Sequence, residues 1–354
     1  MNGTITTPPV LAPAPPLGVS TPAAGFKECL LGNARFAPAR FCAPLAGLTH
    51  SAFRRLVAEL GGCGALWTEM LAGRQILKDD FATSPWVRRR PVEGRVVFQL
   101  MLREGDSVDR ILGRLLDHGV DAVDLNLACD AMSIRTCEAG SALFEDRAAM
   151  TTVATAMRRH WTGLLTAKVR LGGRGPNWEA RWIERLRVLE DAGFDAVTVH
   201  PRFFEDKFGR RARLELIPWA ASVTHLPVIA NGDLAGPEDV AAHAADLAPA
   251  VAVMIGRMAV VRPWIFANWD RPAAVDLAAI WRRLCGYIEE DLPPAAALRR
   301  IKLFTRYFAA NFAFAHAFRV SVDNAPTMEG VRERAEAFFG RSPATVRSPA
   351  IAGL

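Results

Sequence analysis

From about residue 38 the chain alternates short apolar runs with longer amphipathic ones, and this rhythm limits its fold more than any other feature. Candidate strands fall at 40–45, 64–70, 95–101, 122–128, 164–170, 195–201, 227–232 and 250–256. The later ones are rich in Val, Ile and Leu without polar alternation, as strands buried on both faces are. Helical patterns at 50–60, 106–118, 146–160, 177–193, 213–223 and 236–246 lie between them, and 71–94 is the least regular gap. Asp106, Asp146 and Asn177 sit where helix N-caps are expected, and Pro237 suits a first helical turn. Eight strands in this alternation point to a closed (β/α)8 TIM barrel, with a doubly wound open sheet as the alternative. After residue 270 the strand signals stop, and 274–292, 294–316 and 327–340 read as helices, with Pro293-Pro294 breaking the first from the second. The expected organisation is a Pro/Ala-rich disordered tail and lead-in over 1–36, a barrel over 37–270 and a small helical domain over 271–354.

Composition narrows the function classes. Hydrophobic residues make up 51% of the 354, enough for a large core and too many for a disordered chain. The six Cys form no C-x-x-C pair and no zinc spacing, so they read as reduced thiols and no metal is expected. Residues 1–26 hold six Pro and no charged side chain, unlike a secretory signal, and no apolar run is long enough for a membrane span. A cytoplasmic location without a membrane partner follows as the expectation. A net charge of +6, with five Lys against 38 Arg, fits a polyanionic partner without demanding one. No Lys sits in a Walker loop, and no G-x-G-x-x-G opens a helix after a strand.

In a TIM barrel the C-terminal strand ends converge on one face, where the active site sits. Here those ends are polar: Gln99, Asn126 with Cys129, Lys168 with Arg170, His200 with Arg202, Asn231 with Asp233, and Gly256 with Arg257. The turns Ala-Asn-Gly-Asp (230–233) and Ile-Gly-Arg (255–257) follow strands seven and eight, the usual phosphate site of barrels. Gly232 and Gly256 allow close backbone approach, and Arg257 adds a charge-assisted fork. Lys168 is expected inside the pocket with Arg170 on the same face, where a flavin ring, a pyrimidine carbonyl or a phosphate would each serve as partner. Gln99 offers a donor and an acceptor to a heterocycle edge. Cys129, just past its strand, reads either as an inert buried thiol or as an acid or nucleophile.

These residues carry a resemblance. Ala-Pro-Leu-Ala-Gly (43–47), Thr-Glu-Met (68–70), Gln99, Asp-Leu-Asn (124–126), Ala-Gly-Ser-Ala-Leu (139–143), Lys-Val-Arg (168–170), Thr-Val-His-Pro-Arg (198–202), Ala-Asn-Gly-Asp (230–233), Ile-Gly-Arg (255–257) and Pro-Trp (263–264) occur in one order. With them the chain resembles the tRNA-dihydrouridine synthases, flavin-dependent reductases of uridine in RNA. The resemblance covers about 40–270 and, more loosely, the helical tail. It implies FMN against Pro44, Leu45, Ala46, Gln99, Lys168 and His200, with its phosphate by Asn231, Gly232, Asp233, Gly256 and Arg257. It further implies Asn126 at the target base, Arg170 and Arg202 on the substrate side, and Cys129 as the acid that protonates C5 of the uracil. The implied reductant is NADPH as a visitor and the implied partner is RNA, most simply tRNA; a monomer is the expectation for the working unit.

Two departures stand out. The family's usual Asn-x-Gly-Cys-Pro is Asn-Leu-Ala-Cys-Asp here, so Ala128 and Asp130 replace a Gly and a Pro. The segment 203–213 is basic and aromatic where the family continues with a short Thr-containing stretch, and it reads as an RNA-contacting loop or as a solvated one. Competing functions are an FMN barrel reductase of small molecules and an RNA-binding paralogue with impaired catalysis.

Overall fold

A computed structural model describes residues 25–206 and 208–350. Eight parallel strands form the core: β1 (Arg40–Cys42), β2 (Ala65–Trp67), β3 (Val96–Met101), β4 (Ala122–Leu127), β5 (Leu164–Val169), β6 (Ala196–Val199), β7 (Val228–Asn231) and β8 (Ala252–Ile255). Each pairs with the next in chain order, and β8 pairs back onto β1, which closes the barrel. All strand residues from β4 to β8 are buried, in keeping with their uninterrupted apolar character. The expected TIM barrel is the fold, and the open sheet is excluded by the closing pair.

Register decides which polar residues meet. Gln99 lies opposite Asp124, Asp124 opposite Thr166, and Asn126 opposite Lys168, which in turn faces Thr198. Because strand side chains alternate, these residues enter the barrel as polar layers between Val and Leu neighbours that pack outward.

The helix signals hold unevenly. Asp146 caps the helix Arg147–His160 by accepting from Ala149 N at 3.0 Å, and Pro237 opens the helix Pro237–Ala242. Asp106 is no cap: its helix begins at Val108, and the Asp106 carboxylate instead accepts from Arg103 N and from Arg74. Asn177 occupies the N-cap position of Trp178–Asp191 in a left-handed conformation (φ 59°), with no side-chain cap bond. The gap 71–94 holds only a two-residue strand beside β3 and two short turns of helix, so one βα unit lacks its long helix. Residues 29–31 and 34–36, expected within the tail, pair as an antiparallel hairpin; 1–24 lie outside the described residues.

The helical tail comprises Leu277–Asp291, Pro294–Phe308, Ala315–Asp323 and Met328–Phe339. The expected single helix over 294–316 breaks after Phe308. Asn311 causes this by donating to Phe308 O and to Val261 O, which turns the chain back onto the barrel without any Pro or Gly. Phe308, Phe312, Phe318, Phe338, Phe339 and Trp281 then pack ring on ring as the tail's core. Asp291 at the end of the first tail helix is buried and accepts from Ser51 and from Arg88 and Arg90 of the barrel. No helix among the described residues is long and apolar enough to cross a membrane.

Candidate active site

A cavity of about 590 Å³ opens at the C-terminal end of the barrel. Pro44, Leu45 and Ala46 line it from the loop after β1, Gln99 from β3, Asn126 and Cys129 from β4 and its loop, Lys168 and Arg170 from β5, and His200 and Arg202 from β6. Asn231, Gly232, Gly256 and Arg257 complete it from the ends of β7 and β8. Thus the expected strand-end residues converge, with one exception. Asp233 is not in the cavity lining; its carboxylate lies behind it and accepts from Arg257 at 2.8 Å, from Arg202 and from Ala212 N. A carboxylate so placed orients two cations and does not itself contact an anion.

The floor is a polar relay. Gln99 donates to Asp124 at 2.7 Å and accepts from Asn126 at 2.8 Å, while Thr166 donates to the other Asp124 oxygen at 2.6 Å. This fixes the Asn126 amide, whose oxygen accepts from Ala128 N and Cys129 N at 3.1 and 3.0 Å. Burial raises the Asp124 carboxyl to about 6, against the pull of Thr166, Gln99 and Lys168. Burial lowers the Lys168 ammonium to about 7, helped by Arg170 and opposed by Asp124 and Cys129. A lysine poised so close to neutrality responds strongly to any anion placed beside it.

The β6–β8 side carries the positive charge. His200 is buried and held neutral, well below its usual range, by burial and by Lys168, Arg170, Arg202 and Arg257. Arg202 is 2.8 Å from His200 Nε2 and also donates to Arg210 O, so it is committed to the protein and braces the histidine. Arg170 has a buried Nε without a partner. Gly232 adopts φ 131°, and a Cβ there would come within 2.7 Å of Ala212 and 2.9 Å of His200, so only glycine fits. Gly256 has room for a side chain, so its close-approach role rests on ligand contact alone. An apolar wall at 43–46 facing clustered cations and an orphaned guanidinium nitrogen suits a flat ring that bears a phosphate. Among the described residues no cluster of three His, Cys, Asp or Glu suits a metal ion.

Several lining residues escape a reading of the sequence. Met70 and Leu48 add to the apolar wall, and Met132, 75% exposed, stands at the rim. Phe208 lies 4.8–5.6 Å from the guanidinium carbons of Arg257, Arg170 and Arg202. It belongs to the unusual 203–213 segment, whose aromatic content is the only signal. Tyr307 reaches the cavity from the tail helix Pro294–Phe308, and nothing in that helix's pattern marks it. Cys137 is exposed and stays out of the lining, whereas Cys129 is in it. Of the basic residues of 203–213, Arg213 is tied to Asp206 at 2.6 Å and stacks on Phe203, so it braces the loop; Arg210 and Arg211 remain exposed, and Lys207 lies outside the described residues.

The model of the dihydrouridine synthase family (Dus) matches residues 41–339. The chain is 30% identical over 241 residues to tRNA-dihydrouridine synthase B of Xanthomonas axonopodis pv. citri, covering 67% of this chain and 70% of the relative. It is 28% identical over 334 residues to tRNA-dihydrouridine synthase B of Xanthomonas campestris pv. campestris, covering 90% and 98%. The Escherichia coli (strain K12) protein of the same name is 28% identical, covering 84% and 94%. Among solved structures, the old yellow enzyme homologue from Zymomonas mobilis is similar in fold, with a TM-score of 0.52 at 12% identity, over 72% of this chain and 94% of that one. Histamine dehydrogenase from Rhizobium sp. 4-9 has a TM-score of 0.54 at 13% identity, over 79% and 51%.

Proposed function

Because this chain belongs to the dihydrouridine synthase family of flavin-dependent oxidoreductases, we propose that it reduces uridine to 5,6-dihydrouridine in RNA, with tRNA as the substrate. The observation that carries this reading is the convergence of Cys129, Asn126, Lys168 and His200 on one cavity whose remaining walls suit a phosphorylated flat ring. The group proposed there is FMN, which with NADPH as reductant supplies a hydride to C6 of the uracil. Arg257, Asn231 and the glycine turns at 232 and 256 would hold its phosphate; Pro44, Leu45, Ala46 and Gln99 would hold its ring. A cytoplasmic, monomeric protein fits the same reading.

The protein's own part is positioning and a proton. Asn126, fixed by Gln99, presents its amide to the target base, and Arg170 offers its unpartnered nitrogen to a carbonyl or phosphate. Cys129 donates the proton to C5. Arg202 acts through His200 and Asp233 to orient that wall. The uridine must leave its stack to enter a cavity enclosed by the barrel end, and the cost of unstacking is met by these contacts.

The test is Cys129→Ala. It should keep flavin content and NADPH-driven flavin reduction but lower dihydrouridine formation by roughly 10²–10⁴-fold, the usual cost of a positioned acid. Nucleoside mass analysis of RNA from cells with and without the gene gives the second arm. Near-normal RNA reduction by the variant would remove Cys129 from the role of acid. Turnover of free pyrimidines or enones with none of RNA would replace the RNA reading by a small-molecule one.

A further inference from the structure

The loop that carries Cys129 is fixed on both sides of its peptide. Cys129 N donates to the Asn126 side chain at 3.0 Å, and Cys129 O accepts from Ser141 N at 2.9 Å. Gly140, at φ 61°, permits this approach: a Cβ there would lie 2.6 Å from Cys129 O. The residue after the thiol adds a further anchor. Asp130 Oδ1 accepts from the buried Ser141 Oγ at 3.0 Å and from Arg135 Nη1 at 2.9 Å. Ser141 therefore grips the Cys129 carbonyl with its backbone and the Asp130 carboxylate with its hydroxyl. Arg135 is half exposed, so its ion pair is screened by water and the Ser141 bond dominates the restraint.

We propose that Asp130 is a positioning residue for Cys129: its carboxylate, held by Ser141, sets the direction of the peptide that carries the thiol. The inference rests on the reading of Cys129 as the proton donor. A proline following the cysteine would restrict this peptide through its ring. Here a hydrogen-bonded side chain does so, which explains how the loop keeps its shape with Asp at 130 and Ala at 128.

The experiment uses the full-length, flavin-loaded protein with a tRNA transcript. Asp130→Ala should lower kcat roughly 10–100-fold, the scale of a small misplacement of a reacting group, with KM for RNA within about twofold. Flavin content and NADPH-driven flavin reduction should stay unchanged, and alkylation of Cys129 by iodoacetamide, followed by peptide mass analysis, should accelerate. Asp130→Asn keeps an acceptor for the Ser141 hydroxyl and should recover most of the lost kcat. Ser141→Ala should match Asp130→Ala, and the double variant should lose little more. An Asp130→Asn variant as impaired as Asp130→Ala would overturn the proposal in favour of a purely electrostatic role, as would single losses that multiply in the double variant. An unchanged alkylation rate in Asp130→Ala also sinks it. If Cys129→Ala itself turns over RNA normally, the acid assignment fails, while the alkylation rates still decide the positioning claim. Should Asp130→Ala fail to fold, the Asp130→Asn and Ser141→Ala pair decides alone.

Discussion

Lys168 is the residue whose state depends most on what fills the cavity. Burial and the Arg170 and Arg202 charges push its ammonium down to about 7, and Asp124 and Cys129 are the groups that oppose them. With no anion beside it, the lysine is mostly neutral at pH 8. An anionic ligand edge or phosphate at contact distance favours the charged form and lifts it back toward ~10. Binding that sets an anionic part of the flavin against Lys168 should therefore take up a large fraction of a proton from solution at pH 8. Calorimetric titration in two buffers of different ionisation enthalpy reads this directly. Lys168→Met should abolish the uptake; binding without proton uptake in the unaltered protein would mean that Lys168 does not face the anionic part of the ligand. His200 does not confuse the measurement, because it is held well below its usual range and stays neutral at pH 8.

At the scale of elements, the described residues of 203–213 form a loop braced on the barrel with two arginines exposed. Phe204 packs on Phe144, Phe203 packs on Trp178, and Asp206 holds Arg174 and Arg213. At 208–211 Phe208 turns onto the cavity arginines, while the Arg210 and Arg211 side chains are exposed, Arg210 coming within 3.9 Å of Asp206. Neutralising Arg210 and Arg211 together should weaken RNA binding and reduce the salt slope by ~0.7–0.9 for each phosphate they would otherwise neutralise. Neutralising Arg213 should instead lower stability, because it leaves Asp206 short of a partner. An unchanged slope for the Arg210/Arg211 pair returns both to ordinary solvated surface. This loop also shows what a sequence can disclose. The eight strands were legible because burial on both faces leaves an apolar run, and the strand-end residues were legible because a polar group at such a place has few structural uses. The division of the loop's arginines was not, because whether a guanidinium meets Asp206 or water depends on contacts set by folding. Nor was the break at Phe308, since Asn311 ends that helix by reaching a carbonyl of another element, a cue no local pattern holds. Tyr307 was invisible for a like reason: on a helix of suitable period, one aromatic faces the tail core or the cavity according to docking angle.

For the molecule as a whole, the seam between barrel and tail is tied by buried charge. Asp291 has a side chain fully removed from water and accepts from Ser51, Arg88 and Arg90. Asp291→Ala removes the carboxylate that Arg88 and Ser51 share and leaves Arg90 only Glu290 at 4.0 Å, so a loss of about 2 kcal/mol is expected, the scale of hydrogen bonds lost at a charged group. Urea unfolding should show it as a lower midpoint. Glu336→Ala is the contrast: its pair with Arg282 is 49% exposed on both sides, and its loss should cost under ~1 kcal/mol. Equal effects of the two substitutions would deny the seam its special weight. The same seam bears on the cavity. Arg300 of the tail comes within 3.9 Å of the buried Glu69, whose other contact is Gly47 N in the loop after β1, and Tyr307 closes the cavity wall near Arg257. The tail is thus one jaw of the pocket. The yellow colour of a flavin bound there becomes a gauge of whether the two halves are joined, and any graft that exchanges the tail for a relative's also exchanges part of the pocket.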